Sequence, residues 1–200
     1  MISRSTLRLA LAIGLAFASG SAMAHPGGPH VHGFLDGFAH PVSGFDHLAA
    51  MVAVGLIAAH LGGRALWQVP ASFVGAMAIG AGLAMAGLAM PLVETGIAVS
   101  LIVFGAMVAL RARVPAAAAC ILVAGFGLFH GFAHGMEAPA DASGLSYMTG
   151  FVLATALLHG IGVLAGLRLG ATASNVGRAA LRANGGVTAV LGVALALNLI

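Results

Sequence analysis

Two segments of this 200-residue chain concentrate imidazole and carboxylate side chains in apolar surroundings. One reads His40-Pro41-Val42-Ser43-Gly44-Phe45-Asp46-His47, and the other reads Phe129-His130-Gly131-Phe132-Ala133-His134-Gly135-Met136-Glu137. Imidazole nitrogens and carboxylate oxygens together suit borderline divalent ions such as nickel, cobalt and zinc. The candidate metal ligands are therefore His40, Asp46, His47, His130, His134 and Glu137.

The spacing within the second segment predicts one ligand-bearing face of a helix. His134 follows His130 by four residues and Glu137 follows His134 by three, so all three project from one stripe. Gly127, Gly131 and Gly135 recur every four residues beside that stripe. Small residues at this spacing predict that a neighbouring helix packs closely there.

The first segment leaves two roles open for its carboxylate. His40 and His47 are seven residues apart and are predicted to share a helix face. Asp46 is either a direct ligand or the group that orients His47 through its second ring nitrogen. Pro41 suits the first turn of a helix, which predicts that His40 lies at the outer helix entrance. Gly44 and Gly55 are predicted to pack closely as well.

Composition predicts that these residues are held in a membrane. Hydrophobic residues make up 60% of the chain and charged residues 6%, with a mean hydropathy of +1.08, whereas a soluble domain carries about a quarter charged residues. The eight basic residues are dispersed arginines, which excludes a nucleic-acid surface. The single cysteine, Cys120, excludes an intramolecular disulfide and a cysteine-based metal site.

The sequence predicts an all-α, polytopic membrane protein with six transmembrane helices after a cleaved signal peptide. Residues 1–24 have the basic start, apolar run and Ala22-Met23-Ala24 cleavage site of an export signal. Residues 25–39 are predicted to form a flexible exterior segment rich in histidine, glycine and proline, which either gathers metal loosely or is a plain leader. The predicted spans within residues 40–200 are 40–62, 67–90, 92–111, 115–136, 146–168 and 181–200.

Charge predicts the orientation of the spans. Every arginine of the mature chain falls in a predicted loop that follows an odd-numbered span, so the positive-inside rule makes these loops cytoplasmic. Both termini are then on the exterior side, and both ligand segments lie at the same outer depth. The repeat of Gly37-Phe38-Ala39-His40 in Gly131-Phe132-Ala133-His134 raises the hypothesis of a 3+3 inverted repeat.

Three other ionisable residues have two interpretations each. His159, near the middle of the fifth predicted span, is either an inner station for an ion or a hydrogen-bonding contact between helices. Glu94 either faces the same outer vestibule or is an interfacial carboxylate without a role. His60, near the cytoplasmic end of the first span, is more typical of an interfacial residue than of a ligand.

On both segments and on the arrangement of signal peptide plus six spans, the chain resembles the HupE/UreJ family of nickel/cobalt permeases. The resemblance implies a multi-pass protein of the bacterial inner membrane that imports nickel, or cobalt, for hydrogenase or urease maturation. It implies transport roles for the six candidate ligands and no prosthetic group. The oligomeric state stays open.

The sequence favours a permease of the secondary type, because it contains no nucleotide-binding loop or domain. Neutral histidine is the metal-binding form, so uptake should weaken as the pH falls through about 6. The main alternative is an intramembrane zinc-dependent hydrolase, in which the same residues hold zinc with one position open to water. A haem-binding electron carrier and a structural membrane subunit are further alternatives.

Overall fold

The computed structural model describes residues 33–141, 143–171 and 175–199. The predicted signal peptide and the histidines at positions 25, 30 and 32 lie outside these ranges. The described chain forms the helices α1 (Gly33–Ser43), α2 (Phe45–Leu61), α3 (Ala65–Met85), α4 (Val93–Leu110), α5 (Ala116–Glu137), α6 (Ser143–Ala171) and α7 (Asn175–Ala196).

Five of these helices, α3 to α7, are long and apolar enough to cross a membrane. The pair α1 and α2 passes the same test together, but its two helices meet at an angle of 82°. The prediction of an all-α protein with several membrane spans is therefore confirmed, with five spans, or six if the bent pair is counted as one.

The first predicted span is wrong as a continuous helix, because it breaks at Gly44. His40 lies on α1 and His47 lies on α2, so the two do not share a helix face. Pro41 does not occupy a first helical turn, since α1 already begins at Gly33 and Pro41 lies near its C-terminal end. The predicted boundary between residues 39 and 40 therefore falls inside a helix.

Other helix ends also differ from the predicted ones. α3 ends at Met85 and is followed by Gly87 in the left-handed region at φ +78, so the predicted extension to residue 90 is wrong. α7 begins at Asn175, which brings Arg178 and Arg182 into the helix instead of the preceding loop. Arg168 likewise lies in the last turn of α6.

The predicted glycine stripe of α5 packs against α3. A Cβ atom at Gly131 would overlap the carbonyl oxygen of Met77, and Gly127 and Gly135 lie similarly close to the α3 backbone. This confirms that small residues let these two helices approach closely. Gly55 does the same for α2, because a Cβ atom there would overlap the carbonyl oxygen of His159 on α6.

Aromatic rings surround a group of imidazoles in the core of the bundle. Among the largest fully buried side chains are four phenylalanines and three histidines: Phe73, Phe104, Phe132, Phe151, His130, His134 and His159. Imidazoles are polar, so their complete burial among phenylalanines requires either partners or a ligand. The helices thus hold several imidazole side chains, which are of a type that binds metal ions, in an apolar interior.

Candidate metal site

The bend at Gly44 brings one imidazole from α1 close to one from α2. The ring centroids of His40 and His47 are 6.4 Å apart. The hydroxyl of Ser43 donates a hydrogen bond of 2.7 Å to the His40 carbonyl oxygen, which stabilises the last turn of α1. A Cβ atom at Gly44 would lie 2.8 Å from Asp46 Oδ1, so glycine leaves room for that carboxylate.

The C-terminal end of α5 brings His134 and Glu137 to the same place. His134 donates from Nδ1 to Oε2 of Glu137 over 3.0 Å, because an ionised carboxylate only accepts. The same oxygen lies 3.3 Å from Nε2 of His40. Ligand atoms of these three residues lie within 4.8 Å of one another. That separation allows them to share one divalent ion.

His47 lies at the centre of the imidazole cluster. Its ring centroid is 4.2 Å from that of His134 and 5.5 Å from that of His130. Its Nδ1 lies 3.0 Å from Oδ2 of Asp46, although this contact lacks the alignment of a hydrogen bond. This position is compatible with both predicted roles of Asp46, that of a direct ligand and that of the group that orients His47.

Ser100 on α4 holds His130, a contact that the sequence analysis missed. The Ser100 hydroxyl donates to the carbonyl oxygen of Ile97 over 2.6 Å. Because the hydroxyl has only this one proton, its oxygen must accept a hydrogen bond from Nε2 of His130, which lies 2.9 Å away. Neutral His130 then has its lone pair on Nδ1. The only signal in the sequence was an isolated serine in the apolar run 93–110.

His130 and His134 each have one ring nitrogen free to bind a metal ion. His130 Nδ1 and His134 Nε2 are buried and have no hydrogen-bond partner in the described part of the chain. In each ring the other nitrogen carries the proton, because it donates to Ser100 or Glu137. Neutral imidazole with one lone pair exposed is the form that binds transition metals.

Burial increases stepwise across the site. The exposed fraction of the side chain is 54% for Glu137, 35% for His40 and 28% for Asp46, then 11% for His47 and 2% for His134. Both carboxylates thus lie towards the solvent-exposed opening of the site, which we call its mouth, and the buried imidazoles lie behind them. A cation attracted by the carboxylates would meet neutral ligands further in.

Apolar rings from α6 form one wall of the site. The Phe151 ring lies 4.1 Å from the His134 ring and 5.9 Å from the His40 ring, centroid to centroid. The ring of Tyr147 lies 5.9 Å from that of His40. This wall limits water on one side, which strengthens electrostatic interactions with a bound ion.

A further carboxylate lies in the loop between α5 and α6. Asp141 is exposed and accepts hydrogen bonds from the backbone N–H and the hydroxyl of Ser143. These bonds lower the pKa of Asp141 below its ordinary value. It therefore adds a fixed negative charge to the loop that follows Glu137.

All six predicted ligands meet at this end of the bundle, whereas the three weaker candidates are placed differently. His60 Nε2 donates to the carbonyl oxygen of Arg111 over 2.9 Å, which links α2 to the C-terminal end of α4. Glu94 is exposed in the first turn of α4. His159 is buried in the middle of α6, away from the mouth.

Comparison with known proteins gives two matches. A family model described as HupE / UreJ protein matches residues 13–195, a range that includes all six ligands. One relative, Protein HupE of Rhizobium leguminosarum bv. viciae, is 45% identical over 169 residues, which cover 84% of this chain and 86% of the relative. No solved structure matches the chain.

Proposed function

Because this chain belongs to the HupE / UreJ protein family, a family linked to nickel uptake for hydrogenase and urease, we propose that it is a permease that imports Ni²⁺. The observation that carries the proposal is the convergence of four imidazoles and two carboxylates at one end of the bundle. Co²⁺ is the second candidate cargo, since the same donor atoms bind it.

The order of the ligands supports a path into the protein. Glu137 and Asp46 attract a hydrated cation at the mouth of the site, where their carboxylates are partly exposed to solvent. The ion then exchanges water for imidazole nitrogens as it reaches His134 and His130. Glu137 and Ser100 hold these two rings by their protonated nitrogens, which keeps the lone pairs turned to the cation.

The arginines support the direction of transport. The arginines lie at or near the connections from α2 to α3, from α4 to α5 and from α6 to α7. We call this end of the bundle the arginine-bearing end. Its arginines are Arg64, Arg111, Arg113, Arg168, Arg178 and Arg182. The metal site lies at the other ends of these helices. By the positive-inside rule the arginine-bearing end is cytoplasmic, and the site takes its ion from the periplasm. A cleaved signal at residues 1–24 would give the mature N-terminus the same orientation.

The packing of the helices supports an inverted repeat. α3 packs on α5 much as α6 packs on α1 and α2, and α4 packs on α7. A two-fold axis could exchange the first three spans with the last three. It would turn the contact between α3 and α5 into the contact of α6 with α1 and α2, and it would leave the contact between α4 and α7 unchanged. Such a relation is typical of secondary transporters. The shared sequence of residues 37–40 and 131–134 is not part of it, because both segments lie at the same end of the bundle, whereas this axis would exchange the two ends.

Zinc-dependent hydrolysis is the alternative function, and measuring the metal content of the purified protein distinguishes it from transport. A hydrolase retains its metal through purification, whereas a permease must release its cargo. The family is one of transporters rather than enzymes, which favours the permease.

The experiment is radioactive nickel uptake by cells that lack their own high-affinity importer. Cells that express the wild-type chain should accumulate nickel, with cobalt as a stronger competitor than zinc. Glu137→Gln and Asp46→Asn should each lower uptake roughly 10- to 100-fold, the range found when groups that orient or assist ligands are lost.

Asp141→Asn is the matched control, because it removes an exposed carboxylate outside the cluster. It should transport like the wild type when membrane insertion is equal. Absence of nickel accumulation by a well-inserted wild-type chain would contradict the permease. Zinc that copurifies at one ion per chain would then favour the hydrolase.

A further inference from the structure

One face of α6 leads from the metal site towards the arginine-bearing end. Phe151 contacts the His134 ring of the metal site. Thr155 and His159 follow on α6 at intervals of four residues, so the three side chains lie on one face of the helix. At 1.5 Å per residue, His159 lies about 12 Å beyond Phe151 along the helix axis.

His159 and Thr155 are buried without partners. His159 is 1% exposed and Thr155 is fully buried. Neither ring nitrogen of His159 nor the hydroxyl of Thr155 has a hydrogen-bond partner among residues 33–141, 143–171 and 175–199. Burial of unpaired polar groups costs free energy that an apolar side chain of the same size would not. Packing alone therefore does not account for this pair.

His159 and Thr155 lie between the metal site and a cavity near the arginine-bearing end. The Phe73 ring contacts both His130 and His159, at centroid distances of 5.4 and 5.2 Å. Beyond His159, Gly166 and Gly170 line a cavity of about 340 Å³ that also contacts His60 and Arg111 of the arginine-bearing end. His159 is thus the buried imidazole nearest to this cavity along α6.

We propose that His159 and Thr155 form an interior site for a partly hydrated divalent transition-metal cation in transit between the metal site and this cavity. The inference rests on the permease function proposed above. One imidazole nitrogen and one hydroxyl oxygen supply two ligands, and water completes the coordination. Such a site binds more weakly than the outer cluster, as a transit site must if the ion is to leave.

The test compares uptake of radioactive nickel and cadmium by cells that express the wild type, His159→Leu or His159→Cys. The apolar leucine should lower nickel uptake about tenfold. The cysteine restores a ligand, but a softer one, so uptake of both metals should recover with the cadmium-to-nickel ratio shifted several-fold towards cadmium. A purely structural histidine would not change selectivity between metals when replaced.

A pair of buried threonines provides the matched control. Thr155→Val should lower nickel uptake several-fold, whereas Thr188→Val, in a buried position on α7 whose hydroxyl donates to the Asn184 carbonyl, should not. Each variant is compared at equal amount in the membrane fraction. The cysteine variant keeps the test valid if the leucine variant is poorly inserted.

The outcomes separate this inference from the proposed function. Wild-type nickel uptake by His159→Leu, with an unchanged metal ratio in His159→Cys, would overturn the interior site. If Glu137→Gln still failed to transport, the permease would stand without it. A wild-type chain that accumulates no nickel would overturn both.

Discussion

The two ends of the helix bundle both contain histidine and charged residues, but they use them in opposite ways. At the metal site, imidazoles converge and the nearby charges are carboxylates. One buried nitrogen in each of His47, His130 and His134 has no hydrogen-bond partner within the described ranges. At the arginine-bearing end, His60 is committed to the Arg111 carbonyl oxygen and the charged side chain lining the cavity is Arg111.

This difference shows why residue type alone does not identify a binding site. A histidine that donates from one ring nitrogen can still bind a cation through the other. The two ends differ in what surrounds the ring: His134 lies beside another imidazole and a carboxylate, whereas the charged residue beside His60 is an arginine. Arginines repel cations and so disfavour retention at their end. On the proposed function, one end is built for capture and the other for release.

The comparison is tested most strongly by replacing one histidine at each end. His134→Ala removes a buried candidate ligand and should lower nickel uptake by more than about 100-fold. This loss is larger than the roughly 10- to 100-fold loss expected when only a group that orients a ligand is removed. His60→Gln keeps a donor for the Arg111 carbonyl and should transport nearly as the wild type does. Radioactive nickel uptake at matched membrane levels measures both, and equal losses in the two variants would refute the division of roles.

A smaller loss is expected when His130 keeps its ring but loses the group that holds it. Ser100→Ala removes the acceptor of the His130 Nε2–H, so the ring can turn and its lone pair is less often directed at the cation. Nickel affinity should fall roughly tenfold. The half-buried Ser72 on α3 provides the control variant Ser72→Ala, and the concentration for half-maximal uptake should change only in Ser100→Ala.

The ligands on α5 were predictable because helical periodicity alone puts His130, His134 and Glu137 on one stripe. The glycine stripe beside them followed from the same rule. The partner of His130 was not predictable, since Ser100 reaches it only through the way α4 packs against α5. A lone serine in an apolar helix is equally compatible with a bond to its own backbone, which Ser100 also makes.

The break at Gly44 was not predictable for a different reason. Glycine in an apolar run is compatible both with close packing in a continuous helix and with the end of a helix. Gly55 and Gly44 were predicted to act alike, yet Gly55 packs α2 against α6 and Gly44 separates α1 from α2. Only the tertiary structure distinguishes them, and it replaces the predicted shared face of His40 and His47 with a bend.

That bend predicts a moderate effect at the mouth of the metal site. The backbone of Gly44, at φ −102 and ψ 120, accepts any residue, but the Cβ atom of Gly44→Ala would displace the nearby Asp46 carboxylate. The concentration for half-maximal nickel uptake should rise by about tenfold or less, the lower range for an assisting group. Gly75→Ala, where a Cβ atom meets nothing within 4 Å, should leave this concentration unchanged.

The smallest effect on uptake is expected at the arginine-bearing end, where the cost should be in stability. His60→Leu removes the donor to the Arg111 carbonyl oxygen at the end of α4, and losing one such bond costs about 1 kcal/mol. The midpoint of thermal unfolding of the purified protein should fall, while nickel uptake per inserted molecule stays near the wild-type value. His60→Gln should recover part of the lost stability. A large loss of uptake in His60→Leu without a change in stability would instead make His60 a station on the ion path, and the contrast between the two ends would then fail.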